Sequence, residues 1–152
     1  MTIKTKRVTI SKARKNQFLE IAQLDRRSWG KDSTFIPDGE HTWRIWCEYS
    51  TVLVARCDGK IVGAALLIRG NHHDDVLHKI FVTSSMRGRG IGSRLMKAIL
   101  KSALRPVILT VNPANTGAIA VYEKFDFRRK RLVKGFYREW EDRYVMVWQP
   151  MG

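Results

Sequence analysis

The chain of 152 residues holds only two cysteines, Cys47 and Cys57, at a spacing that suits no metal site and in apolar surroundings. Two are too few for a disulfide framework, so both are expected to be reduced thiols of a core. Acidic residues are scarce as well. Fourteen Asp and Glu face 28 Lys and Arg, and none precedes Glu20. The formal charge of +14 disfavours cationic ligands such as polyamines or aminoglycosides and favours acidic proteins or nucleic acid. No apolar run approaches the roughly 18–20 residues of a membrane span. The opening Met-Thr-Ile-Lys-Thr-Lys-Arg has no apolar segment of the signal-peptide kind, so the protein is expected to be cytoplasmic, with no membrane partner.

What is present reads as one domain over residues 1–152, with no repeat, linker or low-complexity segment. Arg7–Ile10 is a short strand, and Ala13–Arg27 is a helix that places Phe18, Ile21, Ala22 and Leu24 on one face. A loop rich in Gly, Asp, Ser and Pro over 29–39 leads to a second helix, Glu40–Tyr49. Thr51–Cys57 and Lys60–Ile68 are β-branched runs joined by Asp58-Gly59, a two-residue hairpin signal. Asp75–Val82 is a strand, Gly90–Leu104 a helix that stops before Pro106, and Val107–Val111 a strand. A helix over Asn115–Phe125 and strands near 127–136 and 142–149 close the chain.

The most informative stretch is Val82-Thr-Ser-Ser-Met-Arg-Gly-Arg-Gly-Ile-Gly-Ser-Arg-Leu95, a strand that delivers a glycine-rich turn into an amphipathic helix. Gly88, Gly90 and Gly92 let backbone approach a ligand closely, and the first amides of the helix have no partner of their own. Arg87, Arg89 and Arg94 add charge around a turn already suited to a diphosphate. No lysine follows as in a nucleotide-hydrolase loop, and Gly-x-Gly-x-Gly is not the Gly-x-Gly-x-x-Gly of a dinucleotide fold. Arg87-x-x-Gly90-x-Gly92 resembles the acetyl-coenzyme A signature of the GNAT N-acetyltransferase superfamily. Leu109-Thr-Val-Asn-Pro-Ala-Asn115 and the helix through Tyr122 to Phe125-Asp-Phe127 resemble the second half of that fold, with Asp126 where a glycine is usual.

The resemblance implies an α/β chain of α+β type, a mixed, mostly antiparallel sheet of six to seven strands flanked by about four helices, with a splay between the fourth and fifth strands. It implies acetyl-CoA as co-substrate and no metal. The cofactor would be held by the backbone of Phe81 and Val82, by Arg87, Gly88, Arg89, Gly90, Ile91, Gly92 and Ser93, and by Asn115. Tyr122 would protonate the departing thiolate as general acid. The carboxylate that many relatives use as base is absent, since Val76 and Thr110 stand at its positions. His78, which titrates near neutrality, and Glu139 or Glu141 acting through water are the remaining candidates. His72-His73-Asp74-Asp75 is read as a polar turn, because adjacent ligands on a turn converge poorly on a metal.

Gly135-Phe136-Tyr137-Arg138-Glu139-Trp140-Glu141-Asp142 is similar to the closing hairpin of RimI-like protein N-terminal acetyltransferases, in which the aromatic matching Tyr137 helps to bind peptide. Asn112 replaces an arginine usual there. Trp43 and Trp46, three apart on one helical face, either wall the acceptor pocket or anchor the core. Two basic groups, Lys4 to Lys15 and Arg128 to Lys134, exceed what one cofactor needs. The leading expectation is an N-acetyltransferase acting on a primary amine of a protein or peptide, by direct attack. The alternatives are a nucleic-acid- or ribosome-binding module on the same scaffold with weak or lost catalysis, and a small-molecule amine acetyltransferase. Oligomeric state is not legible.

Overall fold

The computed structural model describes residues 7–29 and 36–151. Seven strands form one sheet in the order β1-β2-β3-β4-β5-β7-β6: β1 Val8–Lys12, β2 Thr51–Cys57, β3 Lys60–Arg69, β4 Asp75–Val82, β5 Val107–Val111, β6 Arg128–Val133 and β7 Arg143–Trp148. Four helices accompany them: α1 Phe18–Ser28, α2 Glu40–Tyr49, α3 Ile91–Ser102 and α4 Thr116–Lys124. This is the mixed, mostly antiparallel architecture expected. Parallel pairing occurs where β4 meets β5, and that ladder holds only Asp75↔Val107 and Val76↔Ile108.

Where the strands and helices begin and end follows from local chemistry. Asp58 and Gly59 both take positive φ, 51° and 75°, as a two-residue turn of this handedness requires, and Cys57 pairs with Lys60 across it. The first helix starts later than its periodicity suggests. Ala13 donates its amide to Val52, Arg14 is extended, and Gln17 turns its side chain back onto the Arg14 amide, so Lys15–Gln17 form a separate 3-10 turn. Cationic residues at a helix start also oppose the dipole. At its other end α3 stops at Ser102, since the residue before Pro106 is pushed out of the helical region. That residue, Arg105, places its guanidinium on Asp75 Oδ1 and on the carbonyls of Gly70 and Asp74. Positive φ at Gly135 ends β6 earlier than the sequence pattern implies.

The described chain falls into two compact units. The first, within Met1–Ile68 and His78–Lys101, has a core of Ile21, Leu24, Trp43, Val52, Val54, Leu66 and Phe81. Each such side chain contributes on the order of 1.5–3 kcal/mol on burial. The second, within Arg69–Leu77 and Ser102–Gly152, is built on Val107, Leu109, Val111, Ile119, Phe127, Val145 and Met146, all buried. Cys47 and Cys57 are buried free thiols, and burial pushes the Cys47 pKa up to about 11, against the pull of Arg44.

Inside the first unit lies a charge cluster. Asp25 of α1 is fully buried and Lys79 of β4 is 5% exposed, with Nζ 2.6 Å from Asp25 Oδ2 and 2.7 Å from Asp38 Oδ2. Removing one partner of a buried pair leaves a charge without compensation. Lys79→Met should therefore cost about 3–5 kcal/mol, read as a lower urea midpoint at unchanged slope, and Asp25→Asn in the same chain should restore part of it. A loss below about 1 kcal/mol would mean that the pair behaves as a solvated one.

Candidate active site

The glycine turn lies in the first unit. Gly88 and Gly90 take φ of 76° and 78°, and a Cβ built at either meets no atom within 4 Å. The turn therefore needs glycine for its backbone conformation, and the space over it is open. At the start of α3 the first bond of the helical ladder runs from the Arg94 amide to the Gly90 carbonyl, at 3.1 Å. The amides of Ile91, Gly92 and Ser93 precede it, so they are the unsatisfied donors of a helix N-terminus. Ile91 is buried and anchors the helix, while Arg89 and Ser93 are exposed. Arg87 has a different part from the one expected. Its Nε donates to the Val82 carbonyl at 3.0 Å and Nη2 to the Ser28 carbonyl at 2.6 Å, so it ties the turn to the ends of β4 and α1.

Strand β4 feeds that turn. Leu77, Lys79 and Phe81 share its buried face. Gly63 on β3 allows the close approach of this backbone, because a Cβ there would lie 2.9 Å from the Phe81 carbonyl oxygen and 3.1 Å from Leu95 Cδ1. Trp43 is fully buried, with its indole N–H on Asp25 Oδ2 at 3.0 Å and its ring edge-on to Phe81. Of its two expected roles, the structure gives it core anchoring, and no surface of the side chain is left for an acceptor. Trp46 is half-buried and meets His78 edge-on at 5.4 Å. His78 is exposed on β4; partial desolvation lowers its pKa from the ordinary 6.5 against the opposing pull of Asp38, which favours the neutral imidazole at pH 7.

The second unit carries the other expected residues. Asn115 is the N-cap of α4, its Oδ1 accepting from the Ala118 amide at 3.1 Å. Tyr122 is half-buried, its ring edge-on to Phe127 at 5.9 Å. Burial raises its pKa above 10, so the phenol keeps its proton across the physiological range. Asp126 accepts the left-handed φ of 71° that a glycine would adopt freely, and asparagine and aspartate are the side chains that best tolerate it. In the hairpin, Tyr137 is exposed, its hydroxyl 3.2 Å from Thr110 Oγ1 of β5 and its ring 5.3 Å from the Arg143 guanidinium. Glu139 is exposed, whereas Glu141 is held by Arg138 at 2.5 Å and by Arg143 at 3.4 Å. Among the described residues no group of three or more His, Cys, Asp or Glu is arranged to hold a metal, and no helix is long and apolar enough to cross a membrane.

The model of the acetyltransferase (GNAT) family matches residues 18–127. The chain belongs to the GNAT family. Within it, the chain is 34% identical over 86 residues to an N-alpha-acetyltransferase of Saccharolobus solfataricus, a match that covers 53% of this chain and 49% of that protein. The chain thus spans about half the length of the first curated relatives it matches. It is 29% identical over 151 residues to the N-alpha-acetyltransferase RimI of Mycobacterium tuberculosis, covering 96% of this chain and 95% of that one. The solved ribosomal-protein-S18-alanine N-acetyltransferase of Escherichia coli superposes with a TM-score of 0.80 at 20% identity, over 96% of each chain, and so shares the fold.

For a GNAT chain, the cradle fits a diphosphate: amides ahead of the ladder, open space over two left-handed glycines, and exposed Arg89. Sequence reasoning overlooked three residues in this region. Gly63 is one; a glycine inside a strand run was the available signal. Asp25 and Lys79 are the others, and each breaks an apolar face, Asp25 in register with Ile21 and Ser28, Lys79 with Leu77 and Phe81. The expected loop over 29–39 is described only at Trp29 and 36–39, and Lys4 and Lys6 of the first basic group lie outside the described residues.

Proposed function

We propose that this protein transfers the acetyl group of acetyl-CoA to the α-amine of a protein or peptide, by direct attack, with Tyr122 as general acid. The observation that carries the reading is the open cradle of Gly88 to Ser93, whose unpartnered amides and positive charge suit the diphosphate of coenzyme A. The backbone of Phe81 and Val82 serves the thioester carbonyl, and Asn115 the pantetheine arm. As the amine nitrogen bonds to the carbonyl carbon, the C–S bond breaks, the ammonium loses a proton and the thiolate gains one. Tyr122, protonated at neutral pH, hydrogen-bonds to the developing thiolate and donates that proton.

The missing carboxylate supports an α-amine rather than a lysine. An α-amine of pKa about 7.7–8.0 is about one-third neutral at pH 7.5, whereas a lysine amine of about 10.4 is about 0.1% neutral. A weak base is sufficient for the former. His78, neutral and beside Trp46, is the first candidate, and Glu139, through water, is the second. The full-length similarity to a RimI protein supports a polypeptide acceptor, with Trp46 and Tyr137 as its aromatic contacts.

Acetyl-CoA at millimolar concentration should raise the melting temperature, and Gly90→Asp, which puts a Cβ and a negative charge in the open space, should abolish the shift. An unaltered shift would place the cofactor elsewhere. Tyr122→Phe should keep cofactor affinity and lower kcat about 100-fold. Because burial raises the Tyr122 pKa, the wild-type rate should hold as pH rises to 10 and fall only above it; a kcat equal to wild type in the Phe variant would sink the acid role. Tyr137→Ala should raise KM for peptides with free N-termini at constant cofactor affinity. A library in which polyamines or aminoglycosides react and peptides do not would overturn the acceptor assignment alone, and one with no acetylated product would favour a binding module on this scaffold.

A further inference from the structure

We propose that the free edge of β6, with Trp140 of the following hairpin, binds single-stranded nucleic acid. Strand β6 is the last in the sheet, and Arg128, Arg129, Lys130 and Arg131 are all exposed. Arg129 is engaged, paired with Glu123 at 3.1 Å and lying 5.2 Å over the Tyr144 ring. Arg128, Lys130, Arg131 and Lys134 make no ion pair with any described residue. A bulge gives Arg128 and Arg131 a common direction. The register shifts between Arg129 and Arg131, so Arg128 opposes Val147 and Arg131 opposes Val145, residues two apart that share one face of β7. Without the extra residue, Arg128 and Arg131 would alternate to opposite faces.

The aromatic component follows directly in the chain. Trp140 is 75% exposed, its ring 5.8 Å from the Arg138 guanidinium, which is itself tied to Glu141. Charges and a bulge on an edge strand also prevent edge-to-edge pairing, and that alone would explain one or two of the cations. It does not explain four cations that pair with no anion among the described residues and are followed in the chain by a large exposed ring. Backbone-neutralising charges combined with an exposed stacking ring are the components that track single strands without reading their sequence. An acidic polypeptide would use the charges and leave the indole unused.

The test is binding of a fluorescent oligo(rU) of 12 nucleotides to the full chain, with poly-Glu of equal length as comparison and no acetyl-CoA present. Its failure therefore leaves the acetyltransferase reading untouched. Arg128→Gln/Lys130→Gln/Arg131→Gln should weaken oligo(rU) binding at least tenfold and reduce the salt slope by about 2, at about 0.7 for each phosphate that is no longer neutralised. Trp140→Ala should weaken it about tenfold with the slope unchanged, as loss of stacking requires. Lys12→Gln/Arg14→Gln/Lys15→Gln, in the other basic group, should change affinity less than twofold. Single Gln variants at 128, 130 and 131 supply the same slope reading should the triple variant fold poorly. No binding to wild type at low salt, equal affinities across the variants, or tighter binding of poly-Glu than of oligo(rU) would each overturn the assignment.

Discussion

The first unit depends on a single carboxylate. Asp25 is fully shielded from solvent, and its desolvation would be prohibitive were its oxygens not fully used. Oδ1 accepts from the Trp29 indole at 2.6 Å; Oδ2 accepts from Lys79 Nζ, the Trp43 indole and the Asp38 amide. Lys79 is equally committed, its three protons matched by Asp25, Asp38 and the Ile36 carbonyl at 3.1 Å. Complete satisfaction of donors and acceptors makes such a network specify one arrangement, where a partly satisfied one would permit several. It fixes α1, the entry to α2 and the middle of β4 relative to one another. His78 and Phe81, one and two residues from Lys79 along the strand, take their directions from that anchor.

The same network explains what the sequence concealed. Periodicity fixed the bounds of α2, β2, β4 and β5 as observed, because each is bordered by a turn signal or a sharp change of polarity. The end of α3 was misplaced by two residues, since Arg105 takes its conformation from Pro106 and its hydrogen bonds from residues some 30 positions earlier. A similar difficulty hides Asp25 and Lys79. They are 54 positions apart, and a charged residue on an apolar face looks like an imperfect face until its partner is known. Trp43 illustrates the converse: helix spacing aligned it with Trp46 but could not say which of the two was buried, a matter decided by a hydrogen bond to the hidden carboxylate. The cradle was legible because its chemistry is local. Left-handed glycines and helix-start amides all occur within residues 88–93.

Arg87 and Asn115 show how a family motif can be met while its side chains serve the fold. The guanidinium of Arg87 is taken up by two carbonyls, and the Asn115 carbonyl oxygen by the amide three residues on. Both side chains are thus committed to hydrogen bonds within the fold. Positive charge over the turn then rests on Arg89 and Arg94, both exposed and so sensitive to ionic strength in a way that the amides are not. Net charge alone would have obscured this division. Of the cations near the turn, one is structural and the others are available to ligand.

The position where related enzymes carry a carboxylate holds Thr110, and its hydroxyl faces that of Tyr137 at 3.2 Å. The pair offers hydroxyl donors and acceptors but no carboxylate. Under the proposed function, activation would come from the amine itself or from His78, whose lowered pKa limits how strongly it can pull. A base of pKa below 6.5 is poorly matched to an ammonium above 10, because the proton transfer is uphill by several units, each about 1.36 kcal/mol. Against an α-ammonium near 8 the gap is smaller. Under the proposed function, a hydroxyl in place of a carboxylate would act as a filter on acceptor basicity, one that requires no contact able to distinguish an N-terminus from a lysine side chain by shape.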